Sequence, residues 1–166
     1  MSRAVFIDRD DTLIVDKVYL KEAAGVELLP GAQAALRQWR EAGFLLVLVT
    51  NQSGVGRGIV TPEEVAAQHE RLAELLGPEA TLDGIYVCMH HPEAACECRK
   101  PQPGLLLTAA TELGIDLAQS WMLGDKPADV EAGRAAGCRT VQISRRDGPG
   151  ADLYAPDLAT AAGMLA

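Results

Sequence analysis

Short apolar runs alternate along the chain with longer stretches in which apolar residues recur at helical spacing. The runs predict strands over Ala4–Ile7, Leu45–Thr50, Gly84–Cys88, Trp121–Gly124 and Thr140–Ile143. The longer stretches predict helices near Gly31–Ala42, Pro62–Leu76, Gly104–Leu113, Ala128–Ala136 and Asp157–Leu165. Because strands that alternate with helices form a parallel sheet covered on both faces, we expect a Rossmann-like three-layer α/β/α fold, with ligands at the carboxyl ends of the strands.

Length and composition favour a single domain. The chain has 166 residues, of which 48% are hydrophobic, and this is enough to bury a core. We therefore predict one domain over residues 1–166, with flexible segments at 11–28, 92–98 and 145–156. Only about forty residues, one loop and one helix, separate the ends of the first two strands. A separate cap domain does not fit there, so we expect an open site.

The charge balance limits the possible partners. The formal net charge is −8, and the one short basic run is Arg145–Arg146, so a surface that tracks the phosphates of a nucleic acid is not expected. No apolar stretch is long enough to span a bilayer or to act as a secretory signal. We expect a cytoplasmic monomer that binds neither nucleic acid nor membranes.

The first predicted strand ends in two carboxylates, Asp8 and Asp10, and Thr12 follows them. Residues two apart point to the same face of a strand, so both carboxylates could face one cation or one phosphate. Such a pair needs a positive group between its members or a shared proton, and Mg²⁺ is a suitable cation. Taken alone, however, the same residues would more often be a solvated loop or a helix cap.

Three further groups of polar residues lie beyond apolar runs. They are Thr50, Asn51 and Ser53 after the second strand, Arg99 and Lys100 before a helix, and Asp125, Lys126 and Asp129 after the fourth strand. An ordered set of carboxylates, a hydroxyl and a lysine at strand ends is hard to obtain by chance. It indicates a catalytic site at that edge of the sheet.

A different set of residues suits a second metal. Cys88, His90, Cys96 and Cys98 form a C-x-H-x5-C-x-C pattern, and thiolate and imidazole are the ligands of tetrahedral zinc. Four protein ligands leave no open position, so this zinc would be structural. The alternative is a core thiol at Cys88 with loop thiols or a disulfide beyond it, which a cytosolic compartment disfavours. Cys138 is expected to be a buried thiol.

The motifs FIDRDDTL, TNQSGVGRG and CRKP together resemble those of the haloacid dehalogenase-like (HAD) phosphohydrolases. The resemblance covers nearly the whole chain and is nearest to the D-glycero-D-manno-heptose 1,7-bisphosphate phosphatases, with the histidinol-phosphate phosphatases next. It implies an Mg²⁺-dependent, capless phosphatase of a phosphorylated sugar, for which heptose 1,7-bisphosphate is our first hypothesis. It also implies a zinc-binding loop over residues 88–98, with His90 rather than His91 as the ligand.

The resemblance assigns roles to the motif residues. Asp8 would be the nucleophile that forms an aspartyl-phosphate, and Asp10 would act as general acid and then as general base. Thr50 and Lys100 would bind the oxygens of the transferring phosphoryl group. Mg²⁺ would be held by Asp8, the backbone carbonyl of Asp10 and the Asp125 carboxylate.

Other positions are carried over as substrate contacts. They are Asp16 to Tyr19, Asn51, Ser53, Arg99 and Lys126, and Arg57 is either a contact for a second phosphate or a solvated surface residue. Asp129 either supports Asp125 or Lys126 or simply favours the start of its helix.

Asp11 departs from the nearest relatives, which have Gly at that position. A third carboxylate beside the metal leaves open a non-catalytic sugar-phosphate-binding protein. Histidinol-phosphate phosphatase activity is the other alternative, because the short zinc spacer would suit it.

Overall fold

The computed structural model describes residues 1–165, so Ala166, the last residue of the predicted domain, lies outside the described residues. In this part of the chain, six strands form one sheet. They are β1 (Ala4–Ile7), β2 (Leu45–Asn51), β3 (Gly84–Cys88), β4 (Trp121–Gly124), β5 (Arg139–Ile143) and β6 (Leu153–Ala155). Their spatial order is β3-β2-β1-β4-β5-β6, and all neighbours run parallel. The predicted parallel α/β fold is therefore confirmed.

Helices cover both faces of this sheet. They are α1 (Ala32–Glu41), the short α2 (Ser53–Gly56), α3 (Pro62–Leu76), α4 (Gly104–Leu113), α5 (Pro127–Ala136) and α6 (Leu158–Ala162). Successive residues of β1 point to opposite faces, so Ile7 joins the core under α1 and α6 while Phe6 joins the core under α4. Trp39 and Leu106 fill the two cores from the helix side. Burial on both faces explains why β1 is a continuous apolar run.

The sequence prediction missed β6, which lies inside the segment 145–156 that was expected to be flexible. Three residues in a stretch rich in Gly, Pro and Asp are too few to show an alternating pattern. The strand forms because the edge of β5 pairs with it, with Val141 opposite Leu153. The Asp152 carboxylate fixes the approach by accepting a hydrogen bond from the Thr140 N–H at 2.8 Å.

The loop between β1 and α1 contains one 3₁₀ turn, Ala23–Gly25, and no second domain covers the carboxyl edge of the sheet within residues 1–165. No helix in this range has the length and apolar character needed to cross a membrane. The cytoplasmic location and the monomeric state stay predictions.

Candidate active site

Three buried carboxylates meet at the carboxyl edge of the sheet. Asp8 directly follows β1 and Asp125 directly follows β4, and these two strands are neighbours. Asp129 lies in the first turn of α5. One oxygen of each carboxylate lies within 4.8 Å of the others, and all three residues are buried. Strand pairing therefore brings together residues that are more than a hundred positions apart in the chain.

Lys100 lies within this carboxylate cluster. Its Nζ donates to Asp8 Oδ1 and to Asp129 Oδ1, both at 2.7 Å, and to the Val49 carbonyl at 2.9 Å. Burial alone would lower the pKa of Lys100, but Asp8 and Asp129 raise it above its usual value. Lys100 is therefore charged at neutral pH, with all three ammonium protons donated.

The Asp8–Asp125 side of the cluster keeps an excess of negative charge. Burial first, and then the neighbouring Asp8 carboxylate, raises the pKa of Asp125 to about 7. Burial and Asp129 likewise raise the pKa of Asp8, against the effect of Lys100. The Thr12 hydroxyl lies 3.4 Å from Asp8 Oδ2 and from Asp125 Oδ1 but can donate to only one of them. Carboxylate oxygens in this arrangement suit a hard divalent cation.

Asp129 is engaged at both oxygens. Besides its contact with Lys100, its Oδ2 accepts a hydrogen bond from the backbone N–H of Lys126 at 3.0 Å, which fixes the start of α5. Gly124 lies so close to this carboxyl group that any Cβ there would collide with it. Asp129 thus positions Lys100 and the turn that carries Lys126, in addition to favouring its own helix.

Asp10 is not part of the carboxylate cluster. The chain leaves β1 at Ile7 and turns, with the Leu13 N–H donating to the Arg9 carbonyl at 2.9 Å, so the two-residue alternation of a strand does not extend to Asp10. Its carboxylate instead accepts hydrogen bonds from Arg9 Nη2 at 3.1 Å and from Gln52 Nε2 at 3.0 Å. Sequence reasoning missed Arg9 and Gln52, and the place of Arg9 between the two motif carboxylates was the available signal.

The end of β2 supports Lys100 as well as offering polar groups. Thr50 is fully buried, and its hydroxyl accepts a hydrogen bond from Gln52 Nε2 at 2.9 Å. Asn51 donates through Nδ2 to the Lys100 carbonyl at 3.1 Å and accepts the Lys100 N–H through Oδ1 at 3.0 Å. Asn51 therefore fixes the backbone that presents the lysine, and its role as a substrate contact stays a prediction.

Two cavities flank the carboxylate cluster. The smaller, of about 240 Å³, adjoins Asp10 on the β2 side. Its lining includes the predicted substrate contacts Asp16, Tyr19, Asn51, Ser53 and Lys126. Arg57 is exposed at the end of α2, and neither it nor Arg99 lines this cavity in the described chain. The larger cavity, of about 440 Å³, adjoins Thr12 and Asp125 on the β5 side and is more apolar.

Asp11 occupies a backbone conformation that glycine adopts freely. Its φ is +61°, in the left-handed region that Asp tolerates better than most residues because its short side chain can bond locally. Here Asp11 Oδ1 accepts the Asp16 N–H at 3.2 Å. The third carboxylate of the motif therefore supports the loop that follows it and lies outside the carboxylate cluster.

The predicted zinc ligands lie together in a thiol–imidazole cluster. His90 Nδ1 lies 3.3 Å from Cys88 Sγ and 3.2 Å from Cys98 Sγ, and Cys96 Sγ lies 3.8 Å from Cys88 Sγ. All four donor atoms lie within 4.8 Å of one another, a donor set and spacing that suit tetrahedral zinc. His91 faces elsewhere, since its Nδ1 accepts the Glu93 N–H at 3.1 Å.

None of the cysteines in residues 1–165 forms a disulfide, and Cys138 is buried away from the thiol–imidazole cluster, as expected.

The loop that carries the thiol–imidazole cluster contacts two parts of the active site. It leads directly into Arg99 and Lys100. It also packs against α2, because Gly56 lies against the backbone of His90 and His91 so closely that a Cβ would collide with both. The conformation of this loop is therefore linked to the positions of the lysine and of α2.

Comparison with known proteins gives concordant results. The model of the haloacid dehalogenase-like hydrolase family matches residues 7–137. D-glycero-beta-D-manno-heptose-1,7-bisphosphate 7-phosphatase of Yersinia pestis is 44% identical over 154 residues, which cover 88% of this chain and 82% of that protein. The enzyme of the same name from Escherichia coli is 43% identical over 158 residues, covering 88% and 81%.

A solved structure adds a metal and an anion to this comparison. The crystal structure of D,D-heptose 1,7-bisphosphate phosphatase from B. bronchiseptica, complexed with magnesium and phosphate, superposes with a TM-score of 0.89. That protein is 29% identical in sequence, and the alignment covers 98% of this chain and 97% of that one.

Proposed function

This chain belongs to the haloacid dehalogenase-like hydrolases, and from that premise we propose that it removes the 7-phosphate of D-glycero-D-manno-heptose 1,7-bisphosphate, leaving the heptose 1-phosphate. The observation that carries the proposal is a buried carboxylate, Asp8, held by Lys100 beside Asp125, with Asp10 of the same motif lining a polar cavity. The names of the relatives from Yersinia pestis and Escherichia coli supply the substrate and the phosphate that is removed.

Two metals complete the proposed site. Mg²⁺ would be held by Asp8, Asp125 and the backbone carbonyl of Asp10, a set of oxygen donors that this hard cation prefers. When bound, it offsets the repulsion between an anionic nucleophile and an anionic phosphate. A structural Zn²⁺ would be held by the thiol–imidazole cluster of Cys88, His90, Cys96 and Cys98.

The proposed reaction has two steps. Asp8 attacks the phosphorus, and its new bond forms as the bond to the sugar oxygen breaks, while Asp10 donates a proton to that oxygen. Water then attacks the phosphorus of the aspartyl-phosphate while Asp10 takes a proton from the water; the bond between phosphorus and the Asp8 oxygen breaks, so inorganic phosphate leaves and the Asp8 carboxylate is restored. The Lys100 ammonium and the Thr50 hydroxyl stabilise the charge on the transferring oxygens.

A second phosphate on the substrate would need cations that the first does not use. Lys126 lines the smaller cavity and is exposed. Arg99 Nη1 is buried and has no hydrogen-bond partner among residues 1–165, so an anion there would satisfy it. A charge-assisted contact contributes about 1.5–3 kcal/mol, or roughly tenfold to a hundredfold in kcat/KM when it is made in the transition state. We therefore expect the bisphosphate to exceed the monophosphate by about that factor.

The experiment measures phosphate release from heptose 1,7-bisphosphate, from a heptose monophosphate and from histidinol phosphate, with phosphorus NMR to identify the phosphate removed. Arg99→Ala should shrink the preference for the bisphosphate more than it slows the monophosphate. Arg37→Ala, which removes a surface arginine far from the site, is the control. Histidinol phosphate as the better substrate would replace the heptose proposal with its nearest alternative. Phosphate release from none of the three would favour a binding protein.

A further inference from the structure

The side chain of Arg9 is buried and holds the Asp10 carboxylate in one orientation. Its Nε lies 3.2 Å from both Asp10 oxygens, and its Nη2 lies 3.1 Å from Asp10 Oδ1. Nη2 also donates to Gln52 Oε1 at 3.0 Å, and Nη1 donates to Gln68 Oε1 at 2.8 Å. The planar guanidinium is thus anchored at both of its outer nitrogens, and these contacts hold the donor fork that Asp10 meets.

Gln68 connects this guanidinium to a different part of the chain. It lies on α3, is 1% exposed, and accepts from Arg9 through its carbonyl oxygen. Its amide nitrogen donates to the Leu20 carbonyl at 2.6 Å and to the Lys21 carbonyl at 3.1 Å. One amide group therefore ties the partner of Asp10 to the segment 16–21.

The segment 16–21 is held in a conformation that it would not adopt by itself. Val18 and Tyr19 have φ values of +45° and +54°, which are rare for side chains of this kind and especially for a β-branched one. Such conformations persist only where the surroundings hold them. On the N-terminal side of Val18 and Tyr19, Asp16 Oδ1 accepts a hydrogen bond from the Val18 N–H at 2.9 Å. On their C-terminal side, Gln68 donates to the Leu20 and Lys21 carbonyls. Asp16 and Tyr19 from the same segment line the smaller cavity.

We propose that Arg9 and Gln68 are positioning residues that couple the cavity-lining segment 16–21 to the orientation of the Asp10 carboxylate. The inference rests on the proposed function, because that function gives Asp10 its proton-transfer role. Loss of the Gln68 amide releases the Nη1 end of the Arg9 guanidinium and the segment 16–21 together. The rates of the steps in which Asp10 donates or accepts a proton should then fall. The rate of a step that needs no proton transfer should not change.

p-Nitrophenyl phosphate separates these two kinds of step. Its leaving group departs as p-nitrophenolate without a proton, so Asp8 can be phosphorylated without help from Asp10. The following attack of water still requires Asp10 to take a proton. In Gln68→Leu, the first turnover should stay within about twofold of the wild-type rate, while the steady-state rate falls by roughly tenfold to a hundredfold. A burst of about one p-nitrophenolate per chain should therefore appear.

Two further variants separate the two halves of the coupling. Gln68→Glu keeps an acceptor for Arg9 but loses both donors to the segment, so KM for the sugar phosphate should rise several-fold with kcat largely kept. Arg9→Lys keeps the charge but loses the fork, and should reproduce the burst of Gln68→Leu in a milder form. Gln33→Leu, which removes a glutamine contact to the Leu76 carbonyl elsewhere, is the matched control and should behave as wild type.

Equal losses of the first turnover and of the steady-state rate in Gln68→Leu, or no loss in either, would overturn the coupling. The outcome is independent of the sugar assignment, since the wild-type protein can fail with heptose 1,7-bisphosphate and still hydrolyse p-nitrophenyl phosphate. A wild type that releases nothing from either compound overturns the proposed function and the coupling together.

Discussion

The carboxylate cluster and the thiol–imidazole cluster each bring their donor atoms within 4.8 Å of one another, but they are held in different ways. Asp8, Asp125 and Asp129 come from strand ends and a helix start, and Lys100 and Thr12 already contact them. Cys88 ends β3 and is buried in the core under α4, whereas His90, Cys96 and Cys98 lie on the loop beyond it, and the hydrogen-bonding contacts of these four side chains are with one another. The carboxylate cluster has an internal counter-charge in Lys100, whereas we predict that a bound zinc ion holds the thiol–imidazole cluster.

The largest expected effect concerns the carboxylate cluster alone. Asp8→Asn keeps the size of the side chain and removes the anion that attacks phosphorus, so turnover should fall by roughly four orders of magnitude or more. Because Lys100 keeps its contact with Asp129, the fold should remain, as circular dichroism and thermal melting can show. Zinc content, measured by elemental analysis, should not change. Turnover near that of wild type would reject Asp8 as nucleophile.

Metal removal should separate the two clusters. We expect about one tightly held zinc per chain, and EDTA inhibition that Mg²⁺ alone reverses. Cys98→Ser should lower zinc content and thermal stability together. It should also reduce kcat/KM by about tenfold, because the loop leads into Arg99 and Lys100. Protein with no zinc and an intact disulfide among these cysteines would contradict the zinc assignment. It would also contradict the proposed difference between the carboxylate cluster and the thiol–imidazole cluster.

Removing the positive charge of Lys100 should make the stability of the carboxylate cluster depend on a bound metal ion, as we predict for the thiol–imidazole cluster. Lys100→Met leaves Asp8 and Asp129 buried without their shared cation, which should lower the free energy of unfolding by about 3–5 kcal/mol. Added Mg²⁺ should restore part of that loss. Lys17→Met, which breaks an exposed pair with Glu27, is the control and should cost less than about 1 kcal/mol. Equal losses in the two variants would show that Lys100 does not stabilise the cluster.

The effect that is smallest per step of the variable changed is a pH dependence next to the site. Burial first, and then Arg9, lowers the pKa of His69 from 6.5 to about 4, so the native state holds a neutral imidazole where the unfolded chain binds a proton. The native state should therefore lose about 1.4 kcal/mol per pH unit as pH falls from 6.5 towards 4, relative to a variant without this group. Urea unfolding of the wild type and His69→Gln over this range measures the difference. Parallel curves would refute it.

Much of the scaffold follows from local patterns. The predicted bounds of β1, β3, β4, α3 and α4 match the structure, because buried parallel strands are short apolar runs and α3 begins with a capping box at Thr61. The short elements were not predictable in the same way. β6 has three residues and exists only because β5 offers it an edge, and α2 is a single turn.

In the candidate site, residue types and motif spacing were sufficient to propose the carboxylates, Lys100 and the thiol–imidazole set. Their partners were not predictable, because Arg9 meets Gln52 and Gln68 across 43 and 59 residues of chain. The Asn51 amide group likewise forms hydrogen bonds with the backbone of Lys100, a contact that no local pattern indicates.

The sequence by itself determined which chemical groups stand at the ends of the strands, because hydrophobic periodicity and motif spacing are local properties of the chain. Only the tertiary structure decided which way those groups point. Asp8 and Asp10 are two residues apart, yet because the chain turns after Ile7, Asp8 contacts Lys100 and Asp10 contacts Arg9. Their orientations depend on hydrogen bonds with residues that folding brings from β2, α3 and the loop before α4, and a linear pattern carries no record of such contacts.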